Sequence, residues 1–149
     1  MQARDLALSN ARGRMAIGAA LVLVPRLAGP MWIGVEGDRP GAKIMARSLG
    51  ARDLALGLGL AVALDRGAPV RGWLEGAALA DAVDLVGVLL AGHSIPQSKR
   101  RAVALIAGGS MIACAALARV ADEPPLTEVH APEAELTGHH SSVVTRTGD

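Results

Sequence analysis

Apolar residues fall into four blocks along the chain, separated by short polar stretches. The blocks run from Met15 to about Leu27, from Ile44 to Leu64, from Trp73 to Ala91 and from Ala102 to Ala118. The last three approach the roughly 20 residues that a helix needs to cross a hydrocarbon core about 30 Å thick. The first reaches that length if its helix begins upstream, near Leu6. The pattern predicts helices at about 6–27, 42–64, 70–91 and 98–120.

The stretches between the blocks are rich in turn-forming residues. They read Gly37-Asp38-Arg39-Pro40-Gly41, Asp65-Arg66-Gly67-Ala68-Pro69 and Gly92-His93-Ser94-Ile95-Pro96. Their shortness predicts antiparallel neighbours, and no period-two stretch indicates a strand. The predicted fold is all-α, an up-down antiparallel four-helix transmembrane bundle over residues 1–120. The polar, proline-containing segment 121–149 is predicted to be a disordered tail.

A soluble helical bundle is the competing interpretation. The fourth block argues against it, because 17 residues carry no charge on any face, whereas a surface helix in water needs a polar side. Tyr and Phe are absent and only Trp32 and Trp73 are aromatic, so Ala, Leu, Gly and Val must supply the packing, as in close-packed membrane helices. We therefore expect a multi-pass protein of the cell membrane with the lipid bilayer as its partner. A homo-oligomer or a larger membrane complex stays open, and the net charge of +1 gives no reason to expect nucleic acid.

Charged residues interrupt the second and third blocks. These are Arg47, Arg52 and Asp53 in the second and Glu75, Asp81 and Asp84 in the third. Asp53 and Asp81 lie within one residue of the middle of their blocks. A charge at the centre of a membrane helix costs roughly 2.5–3.5 kcal/mol. These side chains are therefore expected to face the bundle interior and to be paired, or else to be protonated.

Depth along antiparallel helices, at 1.5 Å per residue, predicts which charges meet. Arg14 is expected to pair with Glu75, and either Arg47 or Arg52 with the cluster of Asp53, Asp81 and Asp84. Small residues flank Asp53 on one helical stripe, at Gly50, Gly57 and Ala61. We expect this stripe to face the Ala77–Asp81–Asp84–Val88 stripe of the third block and to bring the backbones close together.

The function of such a network is left open between two alternatives. One is a structural or accessory membrane subunit whose ion pairs specify packing. The other is a small transporter or proton-relay protein that uses the intramembrane carboxylates. No nucleophile, histidine and acid set is present in the predicted helices, so we lean against an enzyme.

Cys114 is the only cysteine, which predicts no intrachain disulfide, and no metal or cofactor is expected. Positive charges are almost balanced between the two sides, and Lys99-Arg100-Arg101 slightly favours a cytoplasmic third loop.

One continuous run, Ala46-Arg47-Ser48-Leu49-Gly50-Ala51-Arg52-Asp53-Leu54-Ala55-Leu56-Gly57, resembles the central signature of a family of small four-helix membrane proteins common in actinobacteria, the DUF4267-like family. Pro25 and Trp32-Ile33-Gly34 before it, and Ala80-Asp81-Ala82-Val83-Asp84 after it, resemble the flanking pattern. The resemblance covers about residues 10 to 120. It implies a multi-pass membrane protein and brings no established activity with it.

Overall fold

The computed structural model describes residues 3–121, and this part of the chain contains helices and no strand. The five α-helices are α1 (Ala3–Leu23), α2 (Pro25–Ile33), α3 (Pro40–Asp65), α4 (Arg71–Leu90) and α5 (Gln97–Val120). Short 3₁₀ turns at Val35–Asp38 and Gly92–Ser94 connect α2 to α3 and α4 to α5. The predicted tail lies outside the described residues.

The first predicted helix is wrong in its extent, because the structure divides it into two helices. The axes of α1 and α2 differ in direction by 115°. Pro25 has no backbone N–H and disfavours a helical conformation in the residue before it, and Val24 accordingly leaves the helical region, at φ −128° and ψ 52°. The other three long helices begin and end within two residues of their predicted positions.

The turn between α2 and α3 is held by a close approach of two glycines and by a surface ion pair. A Cβ placed on Gly29 would lie 2.6 Å from the carbonyl oxygen of Gly37, so neither position has room for a side chain. Lys43 Nζ lies 2.8 Å from Asp38 Oδ1. This ammonium group holds the pKa of the exposed Asp38 carboxyl below its usual value, first through the hydrogen bond and then through charge attraction.

The long helices are arranged as two close pairs, α1 with α3 and α4 with α5. In the first pair the backbones touch at two places seven residues apart. A Cβ on Gly50 would lie 2.6 Å from the Gly18 carbonyl oxygen, and one on Gly57 would lie 2.7 Å from the Ala11 carbonyl oxygen. The expectation that the small-residue stripe of α3 faces α4 is therefore wrong. The stripe faces α1, where Ala11 and Gly18 have the same spacing of seven residues as Gly50 and Gly57.

An apolar core fills the end of the molecule that contains the start of α1 and the α3–α4 connection. Leu60, Leu74 and Cys114 are its largest fully buried side chains. The other members of the core are mostly alanines, so helix packing there depends on close approach rather than on aromatic rings.

The outward faces of the helices carry large apolar side chains. On α4 the exposed residues include Leu79, Val83, Val86 and Leu90, which recur at helical spacing along one stripe. By length and composition α5 could cross a membrane, and only 28% of its most apolar stretch is buried. The bent pair α1 and α2 passes the same test if it counts as one span. The described residues therefore contain one or two candidate membrane spans by this measure.

Candidate functional site: a buried charge network

Five charged residues meet halfway along the helices, and we call them the charge network: Arg14, Arg52, Asp53, Asp81 and Asp84. Four of the five lie at or beside the middle of their helices. Arg14 is one residue past the middle of the 21-residue α1, and Arg52 and Asp53 are the two central residues of the 26-residue α3. Asp81 is central in the 20-residue α4, and Asp84 lies one turn further along. The network is therefore as far from the helix ends as this fold allows.

Arg14 is the centre of the network and is 6% exposed. Its Nη1 donates to Asp53 Oδ1 at 3.1 Å, and its Nη2 contacts Asp81 Oδ2. Nη2 also donates to the backbone oxygen of Ala77 at 3.2 Å. The planar guanidinium suits this position, because it offers several donors in a fixed fork and can reach two carboxylates at once. Asp53 and Asp81 are themselves buried, at 8% and 7% exposure.

Arg52 forms the second half of the network and is only partly buried. It binds Asp84 with two parallel hydrogen bonds, Nη1 to Oδ1 at 3.0 Å and Nη2 to Oδ2 at 2.7 Å. Its Nη2 also donates to Asp53 Oδ1 at 3.2 Å, which links it to the Arg14 half. The Nε of Arg52 is buried and has no hydrogen-bond partner among the described residues.

The predicted pair of Arg14 with Glu75 is wrong. Glu75 accepts a hydrogen bond from Nε of Arg71, four residues earlier on α4, at 2.7 Å, and both side chains are exposed. The depth assignment failed because it measured depth from the middle of the apolar block Met15–Leu27, which puts Arg14 about seven residues from the centre. The true α1, Ala3–Leu23, begins twelve residues before that block, so Arg14 lies one residue from the helix centre and level with Asp53 and Asp81.

The prediction left Arg47 and Arg52 as alternatives, and the structure brings Arg52 to the carboxylates. Arg47 is exposed and forms no ion pair with any described residue. Two polar contributors were missed. Asn10 Oδ1 accepts from Arg14 Nε at 3.3 Å, and Ser110 Oγ accepts from Arg14 Nη2 at 3.4 Å. A usable signal existed for both: Asn10 is a polar residue one helical turn before Arg14, and Ser110 is a polar residue within the charge-free stretch Ala102–Ala118 of α5.

The network connects the two helix pairs. The arginines and Asp53 lie on α1 and α3, whereas Asp81, Asp84 and Ser110 lie on α4 and α5. The ion pairs of Arg14 with Asp81 and of Arg52 with Asp84 therefore cross from one pair to the other. The Arg52–Asp84 pair joins α3 to α4, which make few other contacts.

The charges of the network do not cancel. Two guanidinium groups and three carboxylates sum to −1 when all are ionised. The three carboxylates and Arg14 also line a cavity of about 60 Å³. No group of three His, Cys, Asp or Glu side chains in residues 3–121 is arranged to hold a metal ion. The site can take up a proton or a small cationic group without creating a net positive charge in the interior.

Comparison with known proteins leaves the chain without an assigned relative: no family model, no curated protein and no solved structure matches it.

Proposed function

We propose that this chain is a multi-pass integral membrane protein in which α1, α3, α4 and α5 each cross the bilayer, and that it serves as a structural or accessory membrane subunit. One observation carries the proposal. The helices bury their central charges and turn large apolar side chains outward. A water-soluble protein rarely exposes contiguous apolar patches larger than a few hundred Å² and seldom buries charge. In a bilayer, large apolar side chains are favoured on the outer surface, and charged side chains almost always face the protein interior.

The charge content of α3 and α4 supports this proposal once the pairing is taken into account. Every 18-residue stretch of either helix contains at least three charged residues, which makes both too polar to be recognised as spans by composition. Four of those charges are ion-paired: Asp53 and Asp81 are buried, and Arg52 and Asp84 are partly buried. Paired charges that face protein do not meet lipid, so composition overstates the cost of inserting these helices.

The role we propose for the charge network is to fix how the two helix pairs dock. Hydrophobic burial gives little preference for one helix arrangement over another in lipid, because the hydrocarbon tails are as apolar as leucine. Ion pairs satisfied in only one arrangement supply that preference. The DUF4267-like resemblance of residues 46–57 belongs to the same proposal, as does a location in the cell membrane.

Membrane integration is tested by fractionating cells that express the full chain. We expect the protein to stay in the membrane pellet after washing at alkaline pH, which strips peripheral proteins, and to be released by detergent. Recovery in the soluble fraction, or release by the alkaline wash, contradicts the proposal.

A second candidate function, proton or solute transport, is favoured by the unbalanced charge of the network and by the cavity beside it. Asp81→Asn separates the two candidates, with Glu75→Gln as the matched control on the same helix. Loss of folding or assembly in Asp81→Asn alone supports the structural role. A folded Asp81→Asn protein whose proteoliposomes differ from wild type in proton or solute flux supports transport and contradicts the structural role.

A further inference from the structure

A second, apolar cavity of about 220 Å³ adjoins the charged one. It lies between α1, α2 and α3 and is lined by residues such as Ile33, Met45 and Ala46, with almost no polar surface. The two cavities share three wall residues, Leu21, Trp32 and Leu49. We call the apolar cavity the outer chamber and the cavity beside the three carboxylates the inner chamber.

The charge of the inner chamber determines what can enter it. The charged groups that line this chamber are Arg14 from α1, Asp53 from α3, and Asp81 and Asp84 from α4, and α5 contributes the hydroxyl of Ser110. Arg52 does not line the chamber but pairs with Asp53 and Asp84, so its charge counts in the total. The total is −1, so an anionic head would meet net repulsion. A compact cation would neutralise the site and could donate hydrogen bonds to the carboxylates.

The outer chamber determines the rest of the ligand. Its wall of leucine, isoleucine, methionine and alanine side chains suits an alkyl chain. Trp32 lies in the wall of both chambers, where its ring can contact a cation as well as a chain. The charge complementarity and the adjoining apolar wall thus indicate one class of occupant.

We propose that these two cavities form a binding site for an amphiphile with a small cationic head, such as a primary alkylammonium, whose head lies among Asp53, Asp81 and Asp84 and whose chain lies against Trp32. The head takes the place of a proton or small ion that would otherwise balance the charge. This inference rests on the proposed membrane location, because such a ligand would enter from the lipid.

The two tryptophans make the site directly observable. Trp32 lines both cavities, whereas Trp73 covers Gly59 on a different part of the molecule and lines neither cavity. Trp73→Leu therefore reports on Trp32 alone, and Trp32→Leu reports on Trp73 alone. A bromine atom on an alkyl chain quenches tryptophan fluorescence on contact.

The experiment titrates bromoalkylammonium, or the uncharged bromoalkyl alcohol of the same length, into proteoliposomes of each variant. We expect saturable quenching of Trp32 by the ammonium compound. The alcohol should quench Trp32 only linearly, and both compounds should quench Trp73 only linearly, because Trp73 is 40% exposed and meets only compound that has partitioned into lipid. Asp84→Asn, which brings the sum of charges to zero, should raise the half-saturating concentration about tenfold or more because a charge-assisted hydrogen bond is lost. Glu75→Gln, outside both cavities, should leave it unchanged.

Equal quenching of Trp32 by the two compounds, or equal quenching of Trp32 and Trp73, overturns the proposal because it indicates partitioning into lipid. An unchanged titration in Asp84→Asn overturns it as well. If Asp84→Asn does not fold, the comparison of ammonium with alcohol in the otherwise unaltered chain still decides. Flotation of the proteoliposomes tests the membrane proposal separately: protein that does not float contradicts membrane integration, whereas protein that floats and binds no ammonium contradicts this inference alone.

Discussion

Replacing Arg14 by leucine is the most informative perturbation of the charge network. The substitution removes the arginine partner of the buried Asp81 and one of the two arginine partners of the buried Asp53, together with the hydrogen bonds from Arg14 to Ala77, Asn10 and Ser110. Breaking a buried ion pair by removing one partner typically costs about 3–5 kcal/mol, because a charge is left uncompensated. Since a whole domain is stable by about 5–15 kcal/mol, the expected loss is a large fraction of the total.

The assay is reversible unfolding in mixed detergent micelles, in which the fraction of SDS is raised and helix content is followed by circular dichroism. Arg12→Leu is the control, because Arg12 is exposed on the same helix and forms no ion pair with a described residue. A triple variant, Arg14→Leu with Asp53→Asn and Asp81→Asn, should recover at least half of the loss, because the buried carboxylates are then neutral. The reasoning is refuted if Arg14→Leu is no less stable than Arg12→Leu, or if the triple variant is less stable than the single one.

Further predictions concern packing, guanidinium geometry and thiol access. Gly50→Ala should destabilise the protein by about 1–3 kcal/mol in the same assay, because its Cβ would lie 2.6 Å from a backbone oxygen of α1. Gly87→Ala is the control and should leave the stability unchanged, because a Cβ there would have no atom within 4 Å. Equal effects of the two substitutions would contradict the α1–α3 contact. Arg14→Lys should recover less than half of the stability lost in Arg14→Leu, because an ammonium group cannot reproduce the fork between two carboxylates. Cys114, which is 0% exposed, should react with a small maleimide only on unfolding, and rapid reaction of the folded protein would contradict the apolar core.

The sequence predicted the helical class and the extent of three helices because the apolar blocks are long and are separated by turn-forming residues. Of the seven charges that the sequence indicated for the interior, five meet in the structure, whereas Arg47 and Glu75 are exposed. The partner of Arg14 could not be predicted from depth, because that required both ends of α1. The helix begins at Ala3, in a polar segment before the apolar block, and ends at Leu23 before Pro25, although the block continues to Leu27.

The pairing of helices was a second limit of the sequence. The Gly50–Gly57 spacing on α3 recurs as Ala11–Gly18 on α1, and Arg14 and Asp53 lie within these two repeats. Matching the repeats would have placed Arg14 against Asp53. The α4 stripe that was chosen instead offers one alanine and no glycine at Ala77, Asp81, Asp84 and Val88, so it could not provide an equally close approach.

Thiol accessibility along α4 tests most directly whether the apolar outer faces of the helices lie in lipid. Single cysteines are introduced at Leu79, Val83 and Val86 in a Cys114→Ala chain, with Ala68→Cys in the exposed α3–α4 connection as the reactive control. We predict that a membrane-impermeant maleimide labels the control, in intact cells or in lysed membranes, and leaves the three α4 positions unlabelled until SDS is added. Labelling of the α4 positions at the rate of the control would contradict it.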